Sequence, residues 1–267
     1  MALCVSGRQA ASPIRALFHS ALVVLIAVVC GCGADKHGAD VESYEIESKA
    51  VGEDLGQRLV LPEDPSGALL VFLHGRSSDE EANLRDAFFA ALADLGDEAP
   101  AVVFPYGGFD SYWHDRDGGD WGRYVVDEVI PRALDESGAD PNRVAIGGIS
   151  MGGFGAYDIA RLHPNRFCAV GGHSPAIWVE AGQTAQGAFD DAEDFAAHDL
   201  VGAARAGTFR PEHAWLDIGK SDPFAPGARA LAGAMDVEDH SYPGGHDYGY
   251  WDAHWPQYLR FYANACG

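Results

Sequence analysis

The sequence predicts an α/β protein with a mostly parallel, doubly wound sheet flanked by helices. Three observations carry that reading. Short apolar runs of strand length alternate with longer segments of helical pattern from residue 41 to the end. The central runs, 68–73 and 101–105, are apolar on both faces, as strands covered by helices on either side must be. The third concerns chemistry: His74, Ser150, Asp222 and His246 each fall just after a predicted strand, at the carboxyl edge where such sheets hold their sites.

The first 31 residues stand apart. Arg8 and Arg15 give a basic start, and residues 16–29 are almost entirely apolar. That run is too short to span a bilayer comfortably and ends in small residues and cysteine, the pattern of an export signal. Val29-Cys30-Gly31-Cys32-Gly33 resembles a bacterial lipobox, in which a small residue precedes a cysteine that is lipidated and becomes the new amino terminus. The expectation is a lipoprotein-type signal at 1–31, lipidation at Cys32, and a small polar tether at 32–40 that holds the protein at a membrane surface of the cell envelope. Ordinary secretion and an uncleaved anchor are the alternatives.

Loss of residues 1–31 removes two arginines and no acid, so the formal charge moves from −22 to −24, with 16 basic and 40 acidic side chains left. Acidity of that size makes nucleic acid and anionic lipid surfaces poor partners of the folded domain, and it reads as solubility. No ligands clustered at metal-binding spacing are visible in the chain, so no metal site is expected.

Residues 41–267 are expected to form one domain. Residues 44–47 alternate polar and apolar and 57–61 stop at Pro62, so both read as strands, followed by the buried strand 68–73. A helix is expected over 80–95, then strand 101–105. The loop 106–121 holds five aromatic residues, and a helix follows over 124–134. Next come strand 144–147, helix 154–163 and strand 167–171. Residues 175–207 read as an irregular acidic stretch. Strand 214–218, helix 228–235, a short strand at 240–242 and helix 255–265 complete the chain. Cys168 lies in a predicted strand and Cys266 near the end of the last helix. A buried free Cys168 is expected, with a Cys168–Cys266 disulfide as the alternative in an oxidising compartment.

Gly148-Ile149-Ser150-Met151-Gly152 sits between a strand and a helix, the context of a nucleophile elbow. Glycines are needed there because the turn strains the backbone at the serine and a side chain on either flank would clash with helix or strand. A serine hydroxyl is a poor nucleophile until a histidine takes its proton, and the histidine needs a carboxylate to fix its tautomer. His246 lies in the glycine-rich loop Pro243-Gly244-Gly245-His246 and is the candidate base; His173, His240 and His254 read as structural, His173 with the option of lining the pocket. Asp222, in Gly219-Lys220-Ser221-Asp222, is the candidate acid, in the chain order serine, acid, histidine. Asp217, inside the strand, is the rival and reads as structural. An oxyanion needs two backbone donors, and the amides of Met151 and Arg76 are the candidates. Tyr112, Trp113, Trp121, Trp178, Tyr248, Tyr250 and Trp251 are candidates for the pocket wall.

Leu73-His74-Gly75, Gly148 to Gly153, Gly219 to Asp222 and Gly244 to Trp251 together resemble the esterase group of the alpha/beta-hydrolase superfamily, which includes S-formylglutathione hydrolase, feruloyl esterases and the mycolyltransferases. The resemblance covers residues from about 41 to the end. It implies an alpha/beta-hydrolase fold and a serine esterase working through an acyl-enzyme, without cofactor or metal, on a small-molecule or envelope-linked ester. Transfer of the acyl group to an alcohol, as in mycolyltransferases, is the first alternative. A non-catalytic envelope protein that binds through the same fold is the second.

Overall fold

A computed structural model describes residues 34–267. The signal at 1–31 and the lipidation at Cys32 lie outside the described residues. The expected tether is only partly free chain, since Asp35 donates its N–H to Asp86 Oδ1 at 3.0 Å and Ala34 and Ala39 pack on the core.

Eight strands form the sheet: β1 (Asp40–Glu47), β2 (Asp54–Leu61), β3 (Leu69–Leu73), β4 (Ala101–Pro105), β5 (Val144–Ile149), β6 (Ala169–His173), β7 (Ala214–Gly219) and β8 (Asp239–Tyr242). Their spatial order is β1-β2-β4-β3-β5-β6-β7-β8. β2 runs antiparallel to β1 and β4; from β4 through β8 every pairing is parallel. The helices are α1 (Asp86–Ala93), α2 (Ile130–Ser137), α3 (Met151–Leu162), α4 (Ala192–Ala197), α5 (Leu200–Arg205), α6 (Ala225–Met235) and α7 (Tyr248–Cys266). The pleat divides the sheet between two apolar cores. Leu69, Val71, Leu73, Val103 and Ile146 face α2, α3 and α6, whereas Leu70, Phe72, Val102 and Phe104 face α1 and α7. Burial on both faces is what the unbroken apolar runs predict.

Four elements differ from expectation, each for a local reason. α1 starts at Asp86 rather than near residue 80, because Glu80 and Glu81 are drawn to Arg58 and Asp79 Oδ1 holds the Glu81 N–H in a turn. The helical run before α2 widens into a π turn over Tyr124–Val129, where Pro131 has no N–H to close an ordinary turn. The stretch 175–207 contains α4 and α5, capped by Asp191 and Asp199, whose carboxylates accept backbone N–H groups of the first turns. α7 begins at Tyr248, seven residues ahead of the expected start, because Asp247 caps it and Pro256 is accommodated inside it.

The expectation of a free Cys168 is overturned. Cys168 and Cys266 are joined in a disulfide, with Cα atoms 5.4 Å apart. α7 runs back under the sheet and delivers its last residue to the amino end of β6, where Cys168 stands.

Candidate active site

β5 ends at Ile149 and α3 begins at Met151, so Ser150 alone makes the turn. It adopts φ 57° and ψ −113°, a conformation that costs a residue with a Cβ about 1–3 kcal/mol. The surroundings hold it there: its N–H donates to His173 O at 3.0 Å, and its carbonyl accepts from Phe154 N–H and Ala176 N–H. A Cβ on Gly148 would lie 2.5 Å from the Gly152 carbonyl, and one on Gly152 would lie 2.1 Å from Leu73 O. Only glycine fits at either place, as the motif requires.

The structure brings together the three side chains singled out from the sequence. His246 Nε2 lies 2.8 Å from Ser150 Oγ, and His246 Nδ1 lies 2.8 Å from Asp222 Oδ2. Asp222 is buried, and its other oxygen accepts the Phe224 N–H at 2.8 Å, so the carboxylate cannot swing away. The His246 loop is seated on the end of β7: Lys220 N–H donates to Tyr242 O and Ser221 N–H to Gly244 O. Phe224 and Trp251 flank the imidazole, with ring centroids 5.0 and 5.2 Å away. The hydroxyl thus faces one imidazole nitrogen and the carboxylate faces the other.

The loop after β3 passes Ser150 at contact distance, since a Cβ on Gly75 would lie 3.5 Å from Ser150 Cβ. Neither the Arg76 N–H nor the Met151 N–H donates to an acceptor among the described residues. The Arg76 guanidinium turns outward, to Gln186 O and Asp110.

His74 braces this loop. Its Nδ1–H donates to Gly75 O at 2.8 Å, its Nε2 accepts the Gly107 N–H at 2.9 Å, and its carbonyl accepts from Trp113 Nε1–H. Burial pushes its pKa from 6.5 down to about 4. The unfolded chain therefore takes up a proton near pH 6.5 that the folded chain refuses until about pH 4, so stability from this group is full above 6.5 and is lost as pH falls through that window. The loss at pH 4 is expected to reach about 3 kcal/mol. Urea unfolding at pH 7 and pH 4.5 should show it, and His74→Gln should reduce the difference; an unchanged difference in that variant refutes the assignment to His74.

Asp217 is not the histidine's partner. It accepts from His173 Nδ1–H, Trp215 Nε1–H and the hydroxyls of Tyr250 and Tyr258, all within the sheet's core. His173 is wholly taken up there, its Nε2 meeting Tyr262 OH at 2.9 Å. His240 stacks on Trp215, and His254 lies within α7 rather than at its start, bonded to Tyr250 O.

Of the aromatic candidates, Tyr112 and Trp178 stand in a chain of ring contacts that runs from Tyr112 to Trp178 and through Phe224 to His246, and Trp251 packs edge-on against His246. Trp113, Trp121 and Tyr250 are buried without contacting that chain's end at His246, and Tyr248 lies under the Arg85 guanidinium. Phe189 and Phe224 complete the wall and were missed in the sequence. The one signal for Phe224 is its place two residues after Asp222.

A serine on an elbow in the middle of a mostly parallel eight-stranded sheet, with a carboxylate and a histidine at later strand ends, defines an α/β-hydrolase. The chain belongs to the Esterase family, described as "Putative esterase", which it matches over residues 48–262. It is 27% identical over 144 residues to an esterase of Mycobacterium tuberculosis, covering 49% of this chain and 31% of that protein, so it spans about a third of the length of that curated relative. A ferulic acid esterase structure is similar with a TM-score of 0.71 at 22% identity, covering 86% of this chain and 99% of the other. An S-formylglutathione hydrolase from Staphylococcus aureus gives 0.68 at 21% identity, covering 85% and 99%. At such identities the structural likeness speaks for the fold.

Proposed function

We propose that the protein is a serine carboxylesterase. The observation that carries this reading is the series Ser150 Oγ, His246, Asp222, with both links at 2.8 Å, on a strained glycine-flanked elbow. His246 Nε2 takes the Ser150 proton as Oγ attacks the ester carbonyl. The Met151 and Arg76 amides receive the developing oxyanion, and Asp222 holds the Nδ1–H and steadies the imidazolium. The imidazolium then gives its proton to the departing alcohol, leaving an acyl group on Ser150. Water repeats the steps: His246 takes its proton, the hydroxide attacks the acyl carbon, and the proton returns to Oγ as the acid leaves. The aromatic wall of Tyr112, Trp178, Phe189 and Phe224 supports an apolar acyl or aryl group as the bound part of the substrate.

Treatment with a fluorophosphonate probe is expected to label the wild type and leave Ser150→Ala unlabelled. An unlabelled wild type sinks the enzyme reading; labelling that survives in the alanine variant sinks the choice of serine.

A further inference from the structure

We propose that His114, Asp194 and His198 form a binding site for a divalent first-row transition ion such as zinc, which ties both cleft-forming loops to the elbow helix. The three residues come from different parts of the chain. His114 lies in the loop after β4, Asp194 in α4 and His198 at its carboxyl cap. Their donor atoms all lie within 4.8 Å of one another. His114 Nε2 is 3.2 Å from Asp194 Oδ2, and His198 Nε2 is 3.6 Å from Asp194 Oδ1. A tetrahedron with zinc bonds of about 2.0–2.1 Å has edges of about 3.3 Å between ligand atoms; the two contacts fall on different oxygens of Asp194, so its carboxylate would straddle the ion or turn to offer one oxygen to it.

The heavy-atom geometry favours a positive charge at this point. Asp158, in α3, accepts from His198 Nδ1–H at 2.6 Å and is itself paired with Arg161. With the proton fixed on Nδ1, a neutral His198 presents a lone pair at Nε2, and that lone pair faces a carboxylate oxygen. Two acceptors 3.6 Å apart repel; a positive charge at Nε2 removes that repulsion, either the ring's own second proton or a metal ion in its place. No lysine or arginine supplies it: among the described residues the ion-pair partners of Asp194 are the two histidines alone. Asp194 is further oriented by the Asp190 N–H at 2.7 Å.

The His114 side chain is fully buried; without an ion its Nε2–H donates to Asp194 Oδ2 at 3.2 Å and its Nδ1 has no partner, so binding an ion at Nε2 moves the ring proton to Nδ1. A carboxylate behind the Nδ1–H of a ligating histidine is the usual support of such a site, and Asp158 stands in that position behind His198. Two imidazoles and one carboxylate favour zinc or its neighbours over magnesium or calcium. The slight exposure of His198 and Asp194, 10% and 13% of their side chains, leaves the fourth position open to solvent.

The ion would stiffen the wall of the cleft, because the Phe189 ring stacks on His114 and Tyr112 is two residues away. The site does not depend on what reaction Ser150 performs.

The test uses the untagged full chain, stripped with a chelator and then exposed to zinc. The wild type is expected to retain a single zinc ion through desalting and to gain about 5–10 °C in Tm at free zinc a hundredfold above Kd. Substituted with Co²⁺, it should show the visible bands of a tetrahedral ion. Asp194→Asn, which keeps the acceptor for the Asp190 N–H, and His114→Gln should each lose the zinc and the shift. A stripped wild type that neither retains zinc nor shifts overturns the proposal, as does retention by both variants. The wild-type measurements decide even if a variant fails to fold.

Discussion

Asp222→Asn is expected to lower kcat on a carboxylic ester by about 10⁴ while leaving Tm little changed. The buried Asp222 carboxylate uses one oxygen for the Phe224 N–H and the other for His246 Nδ1. An asparagine keeps the first contact through its carbonyl and then turns its NH₂ toward the imidazole. Nδ1 must now accept, so the ring proton moves to Nε2, which faces Ser150 Oγ 2.8 Å away. In that tautomer the imidazole cannot take the serine proton, although every heavy atom is in place. Asp217→Asn should do the reverse. It weakens a buried carboxylate that receives four donors, at a cost on the order of 2–3 kcal/mol of stability, and leaves kcat within a factor of about ten. Steady-state kinetics and thermal unfolding of the two variants decide the matter. If Asp217→Asn loses turnover and Asp222→Asn keeps it, the acid has been misassigned.

What could be read from the sequence divides along a physical line. Ser150, Asp222 and His246 were legible because each sits in a tight turn whose glycines answer to local steric demands. The clashes that a Cβ would make at Gly148, Gly152 and Gly219 show those demands directly. The buried strands were legible because covering both faces imposes an unbroken apolar run, as at Leu69–Leu73. Contacts between residues far apart in the chain left no such mark. Cys168 and Cys266 are 98 residues apart, and His114 and Asp194 are 80 apart; no local period encodes either pairing. The helices α4 and α5 have six residues each, too few for an apolar period to register, and they persist because Asp191 and Asp199 cap them and Phe195, Leu200, Val201 and Ala204 are buried. The aromatic wall failed for a related reason. Aromatic side chains serve core and cleft alike, and only the fold separates Trp113, locked against His74 O, from Trp178, which meets Phe224 beside His246.

Replacing Cys168 and Cys266 together by alanine is expected to cost about 4–5 kcal/mol of stability and roughly 10 °C of Tm, with kcat at 25 °C preserved. The size follows from the length of chain that the bond closes. With the cysteines 98 positions apart, the unfolded chain is deprived of a large loop's worth of freedom, and this restriction is stronger than that of a short-range bridge. Native contacts are disturbed little, because the end of α7 has a second attachment: Arg143 Nε donates to Cys266 O at 2.6 Å while its Nη1 reaches Ser66 O. Preservation of kcat follows from position along the sheet. Cys168 precedes β6 at its amino end, whereas Ser150, Asp222 and His246 follow the carboxyl ends of their strands. Five strand residues, Ala169–His173, separate the bridge from the His173 carbonyl that holds the Ser150 N–H. Reduction of the wild type should reproduce the loss of Tm seen in the double variant and add nothing to it. Reactive thiols on the unreduced, unfolded chain at both positions, or a Tm indifferent to reductant, would show that the bond does not form.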